Sequence, residues 1–428
     1  MSIQSDLSEL VEANIISSET ATRIEGFYAS KSTSGSRLMS VFAILGALLI
    51  GLGIILILAH NWDDLSRSTK TIFAFLPLLI GQALMAFALF RKNDSTAWRE
   101  GSGVFLFLAI GSSMSLVSQI YNIPGNLSSL LITWGILAIP IIYLLRSSVT
   151  SLLYIIAISV YANELAYWAW PHGKPYMYLV MMALLLPFYG RLWMQAPKGN
   201  FTVFHHWFVA ISLAVSFGTM TSGSGNGELM MVAYMSLFGL FLALGHDSIL
   251  KLGSTFKNGY RMVGTLGTVG MLLAFSFDEF WESIRNRTFD SYHAFSSFEG
   301  IAAVALTLLT LYLLYRQWDK TGQEVRPIQL AFAAFIIIFT LGIITPIASF
   351  LVNLLVMALG IFNVIEGNKK DHLGILNSGL VFITALITCR FFDSDLSFII
   401  RGLLFVAVGV GFFLANYLIL KKRKQHEA

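Results

Sequence analysis

The sequence predicts an all-α protein: a polytopic helical membrane protein of about 14 transmembrane helices, with both termini cytoplasmic. Three observations carry this. Charge is scarce, since 12% of the 428 residues are Asp, Glu, Lys or Arg while 56% are hydrophobic. Soluble domains carry about 25% charged residues, so a water-soluble core of this size would lack a charged shell. Apolar runs of about 20 residues, enough for a helix to cross a hydrocarbon core of roughly 30 Å, recur along the chain. The Lys and Arg residues gather in alternate connections between those runs.

The first 38 residues are polar and read as a cytoplasmic helical hairpin. Asp6 and Glu9 have capping-box spacing, Ser18 with Glu19 can open a second helix, and Leu7, Leu10 and Val11 make one apolar face. This stretch lacks the short apolar core of a cleavable signal, so the first apolar run should serve as an uncleaved anchor. The predicted domains are the hairpin at 1–38, a transmembrane helical domain at 39–420 and a basic cytoplasmic tail at 421–428, which begins "KKRK".

Within the transmembrane domain, apolar runs lie near 40–59, 70–90, 103–121, 127–145, 148–168, 177–195, 202–220, 229–245 and 260–278. Five more follow near 299–315, 327–344, 346–365, 372–390 and 397–420. One division needs an argument. Residues 328–365 carry no charge, and as a single helix they would be about 57 Å long, nearly twice the core thickness. The chain must turn back, and Thr345-Pro346 is the natural place, because the residue before a proline is driven out of the helical region.

Charge then gives orientation. With alternating spans and a cytoplasmic N-terminus, 21 of the 28 basic residues fall on the inner side. Six fall outside: Arg67, Lys70, Lys174, Arg285, Arg287 and Arg390. Arg401 lies inside the last span. The net charge of +4 is spread over short loops and is no nucleic-acid signal. The lone Cys389 excludes an internal disulfide and reads as a small helix residue.

In this topology the outer face collects unusual stretches. "HNWDD" (60–64) ends the first span, "SQIYNIPGN" (118–126) ends the third, and "CRFFDSDLS" (389–397) ends the thirteenth. "FDEFWESIRNRTFD" (277–290) follows the ninth, and ten of the 24 acids face outward. Ordinary explanations exist. Trp62, Tyr121, Phe391 and Phe392 suit an interfacial aromatic belt, Asp63 or Asp64 could cap the second span, and Asn122, Pro124 and Gly125 form turns. Against these stand Gln119 inside the apolar boundary, on a stripe with Ser112, Ser113, Ser115 and Ser118, and Arg401 a turn inside the last span. An arginine at bilayer depth costs about 2.5 kcal/mol or more unless it snorkels or pairs. The candidate substrate-binding residues are therefore Asn61, Trp62, Asp63, Asp64, Gln119, Tyr121, Asp393, Asp395 and Arg401.

Weaker signals are a His60, Asp63, Asp64 spacing with no third firm metal ligand, and His205-His206 near the inner interface. Gly264, Gly267 and Gly270 would pack the ninth span closely, and Gln82, Asn353 and Asn377 are the mid-span polar residues. No cofactor or metal is implied, and no catalytic residue stands out. "GSGNG" (222–226) lacks the strand–helix setting of a phosphate loop.

The hairpin, the Gly-rich first span ending in "NWDD" and "SQIYNIPG" closing the third span resemble the bacterial membrane family called domain of unknown function 2157. The terminal "FFDSDLSFIIRGLLFVAVGVGFFLANYLILKKRK" is similar to the last hairpin of that family and its relatives. The likeness covers about 1–130 and 385–424, with Ser118 where a glycine is expected. It implies a bacterial cytoplasmic-membrane protein and carries no activity. The functional expectation is transport or handling of a small or lipid-linked solute through an outward acidic and aromatic pocket. The alternatives are a membrane-embedded transferase at the outer leaflet, or a structural or sensory subunit. Membrane lipids are the expected surroundings, with a protein partner conceivable at the hairpin.

Overall fold

The computed structural model describes residues 15–31, 62–169, 171–221, 227–246, 258–286, 296–321 and 325–391, with isolated positions in 7–13, at 294 and in 397–413. Among them no strand occurs. The chain divides into two units, residues 1–73 and 74–428. The expected boundaries at 38 and 420 fall outside the described residues.

The helices are α1 (Ser18–Lys31), α2 (Arg67–Arg91), α3 (Thr96–Tyr121), α4 (Leu127–Leu145), α5 (Ser148–Asn163), α6 (Met177–Gln195) and α7 (Asn200–Phe217). They continue as α8 (Leu229–His246), α9 (Gly259–Ala274), α10 (Asp278–Arg285), α11 (Phe298–Thr321), α12 (Pro327–Ile344), α13 (Ala348–Lys369) and α14 (Leu373–Phe391). A π-turn at Glu164–Trp168 prolongs α5, and a 3₁₀ turn at Gly218–Met220 prolongs α7. Eleven of the described helices are long and apolar enough to cross a membrane, and a twelfth if α9 and α10 count as one bent span. These are the second to thirteenth predicted runs. The first and last, 40–59 and 397–420, lie largely outside the described residues. The protein is a multi-span helical membrane protein.

Local chemistry fixes the boundaries. Ser66, not Asp63 or Asp64, caps α2: its hydroxyl accepts the Thr69 amide at 3.2 Å. Ser17 does the same for α1, taking the Thr20 amide one residue earlier than the sequence suggests. Asn122 ends α3 in the left-handed region (φ 48°), and Asn126 opens α4 by accepting the Ser129 amide at 2.8 Å. Thr345 is extended between α12 and α13, as its place before Pro346 requires.

Within residues 74–428, two apolar cores meet on α8. One gathers Phe107, Tyr154, Ile158, Met181 and Val209 with Phe238 and Phe241 of α8. The other gathers Trp281, Phe335, Phe339 and Val352 with Met230 and Met235 of α8. Buried on both sides, α8 is 67% covered by the rest of the protein, against 28% for α6. Gly264 and Gly267 let α9 approach it, since a Cβ at 267 would lie 2.3 Å from the Phe238 ring. Gly270 has open space and plays no such part.

Candidate functional site

The ninth predicted span departs from expectation. Its run reads apolar to residue 278, but α9 stops at Ala274 and the chain bends by 75° into α10. At 1.5 Å per residue α9 is about 24 Å long, short of the hydrocarbon thickness, so its last carbonyls end where water cannot be relied on to satisfy them. Side chains do so instead. The Ser276 hydroxyl donates to Leu273 O at 2.6 Å, and the Trp281 indole N–H donates to Phe275 O at 2.8 Å. Asn353 of α13 donates Nδ2 to Ser276 O at 3.0 Å and to Ser349 O at 2.7 Å. The ring of Trp281 is fully buried against Phe275, Phe335 and Phe339.

A cation joins this break. Arg390, in the last turn of α14, donates Nη2 to Ser276 Oγ at 3.2 Å and lies 4.5 Å from the Phe277 ring centroid. Asn353 Oδ1 is buried without a hydrogen-bond partner among the described residues. Asp278, at the start of α10, pairs with Arg285 at 3.8 Å. Arginine, amide and hydroxyl thus converge on irregular backbone at one end of the bundle. Such a setting can orient a polar group that approaches from that end.

The nine residues singled out from sequence fare differently. Asn61, Asp393, Asp395 and Arg401 lie outside the described residues, as does His60. Trp62 is half-buried, with Lys70 Nζ 5.7 Å from its ring centroid, while Asp63 and Asp64 are exposed in the turn before α2. Gln119 and Tyr121 are exposed at the end of α3. The serine stripe beside them loses part of its force. Ser112, Ser113 and Ser118 donate to the carbonyls of Ala109, Ala74 and Ile123. These bonds explain the hydroxyls by packing.

Sequence reasoning underrated two places. In sequence Arg390 reads only as an outer positive charge and Ser276 sits inside an apolar run, while Asn353 stands out as a mid-span polar residue. His205 and His206 are not interfacial but fully buried in the bundle. Tyr189 hydrogen-bonds His206 Nδ1 and lies 2.9 Å from the Tyr260 hydroxyl. His205 Nε2 lies 2.6 Å from the Ser151 hydroxyl. That pair has the look of a nucleophile and its base. However, His205 Nδ1 faces Phe201 O rather than a carboxylate, and both side chains are closed to solvent. The nearby Glu100 instead caps α5, accepting from Ser147 Oγ and from the Ser148 and Val149 amides at 2.6–2.9 Å. Among the described residues no group of three or more His, Cys, Asp or Glu could hold a metal ion.

Residues 8–151 match the model of a family described as "Predicted membrane protein (DUF2157)". The matched stretch takes in α1, "NWDD" and "SQIYNIPG" and runs on into α5; the terminal "FFDSDLS" segment lies beyond it. No curated protein and no solved structure matches the chain.

Proposed function

We propose that this membrane protein handles a small or lipid-linked solute from the outer face of a bacterial cytoplasmic membrane, with about fourteen spans and both termini inside. The observation that carries the reading is the meeting of Arg390 and Asn353 at the α9–α10 break. Broken spans with polar groups at the break are where membrane proteins bind polar solutes. The inside-positive distribution of Lys and Arg supports an outward position for this end. By the same charge distribution Asn61, Trp62, Asp63, Asp64, Gln119, Tyr121, Asp393, Asp395 and Arg401 are proposed to lie on the outer side of the membrane. A transferase would need paired carboxylates there, and Asp278 is already engaged by Arg285, which favours solute handling. The hairpin at 1–38 is proposed as the contact for any cytoplasmic partner.

Accessibility tests the reading. In a Cys389→Ala background, Asn353→Cys should react with a membrane-impermeant maleimide added to the outside of intact cells. Arg390→Gln should alter that rate. An unreactive cysteine at 353 in a folded protein would remove the outward pocket.

A further inference from the structure

The opposite end of α9 carries a second cluster. His246 closes α8, Arg261 lies in the first turn of α9, Arg326 immediately precedes α12, and Glu366 and Lys370 end α13. With Gln317 of α11, Val325, Pro327 and Phe362, all but Arg261 line a cavity of about 330 Å³. Arg261 adjoins it, since its backbone and Cβ pack directly against Gly245, the residue before His246.

Charge is out of balance at this place. Glu366 is taken by Lys370, whose Nζ lies 2.5 Å from Oε1. Among the described residues no carboxylate comes within ion-pair distance of Arg261 or Arg326. Like charges brought together at a bundle end repel unless an anion sits between them. The backbone is set for this: Gln329 accepts the Arg326 amide at 2.9 Å and donates to Gln317 Oε1 at 3.1 Å. His246 Nδ1, 2.9 Å from Leu242 O, carries the hydrogen of that bond. Its Nε2 is buried with no partner among the described residues, and could accept a proton-bearing oxygen.

We infer that this cavity binds a phosphate-bearing anion, held by the forks of Arg261 and Arg326 with His246 Nε2 as the third contact. Arginine recognises phosphate oxygens in pairs, and basic pockets between spanning helices take phospholipid headgroups. Hydrogen phosphate offers His246 Nε2 a P–OH and a phosphatidylglycerol headgroup offers it a glycerol hydroxyl, so the same chemistry would accept either.

The test uses the full chain in nanodiscs of phosphatidylcholine alone or mixed with phosphatidylglycerol, with thermal midpoint and native mass spectrometry as readouts. Sodium phosphate is titrated against sodium chloride at matched ionic strength. A rise of the midpoint with phosphate in the phosphatidylcholine discs identifies free phosphate. A rise only with phosphatidylglycerol, with that lipid retained in the spectrum, identifies a headgroup. Either rise should vanish in Arg261→Gln/Arg326→Gln. Arg261→Lys/Arg326→Lys, which keeps the charge and loses the fork, should bind about tenfold more weakly. No response of the wild-type protein to either probe overturns the assignment. So does an unchanged affinity in the lysine variant.

Discussion

The two ends of α9 lie about 24 Å apart and treat arginine in opposite ways. At the Ser276 end, Arg390 has a hydroxyl and an aromatic face, and the carbonyls freed at the break are taken by Ser276, Trp281 and Asn353. At the Arg261 end, Arg326 lines a cavity whose one carboxylate among the described residues, Glu366, is paired with Lys370, and Arg261 lies beside it. At the first end the freed carbonyls are satisfied within the protein, and Asn353 Oδ1 is left for an incoming group. The other gathers Arg261 and Arg326 at a cavity that the anion inferred above would occupy. The contrast shows why a count of basic residues fixes topology and says nothing of what each one does.

Substitutions can break or sharpen this contrast. The largest loss is expected from Trp281→Ala, which removes a fully buried ring and the donor to Phe275 O. It should cost about 3–5 kcal/mol, read as a fall in the thermal midpoint in detergent. Next comes Asn353→Leu, which leaves Ser276 O buried without its donor. A loss of about 1–3 kcal/mol follows from the desolvation penalty. Arg390→Gln should cost roughly 1–2 kcal/mol through its hydrogen bond and ring contact. Arg326→Gln should go the other way. With less repulsion on Arg261 and no anion bound, the midpoint should rise slightly or hold, by at most about 1 kcal/mol. Equal losses in the last two variants would erase the distinction between the ends.

A third comparison sharpens the packing account. Gly267→Val would drive a Cβ into the Phe238 ring and should destabilise by about 1–3 kcal/mol, while Gly270→Val meets open space and should be close to neutral. The two midpoints, measured side by side, check it.

Most of the span pattern was legible because it depends on one physical quantity, the length of an uncharged run against bilayer thickness. Thr345-Pro346 was legible for the same reason, with proline sterics choosing the residue. The α9–α10 break was not. "LLAFSFDEFW" continues apolar through Ser276, and nothing local reveals that Asn353, 77 positions on, will take its carbonyl. His205 and His206 misled in the same way. Their partners Ser151 and Tyr189 lie 54 and 17 positions away, with Tyr260 a further 71 positions beyond Tyr189, and without them two histidines near a helix end suggest an interface. Polar residues near a span end read as surface until their partners are known. The aspartates before α2 show the reverse error, since the cap belongs to the less conspicuous Ser66.

Cys389 offers the most direct test, because it is the one cysteine in the chain and adjoins Arg390 on the last turn of α14. A membrane-impermeant maleimide should label it in intact spheroplasts. A companion Lys370→Cys in a Cys389→Ala background should react only in inside-out vesicles. Labelling of Cys389 from the cytoplasmic side alone would contradict the account and turn both ends of α9 around.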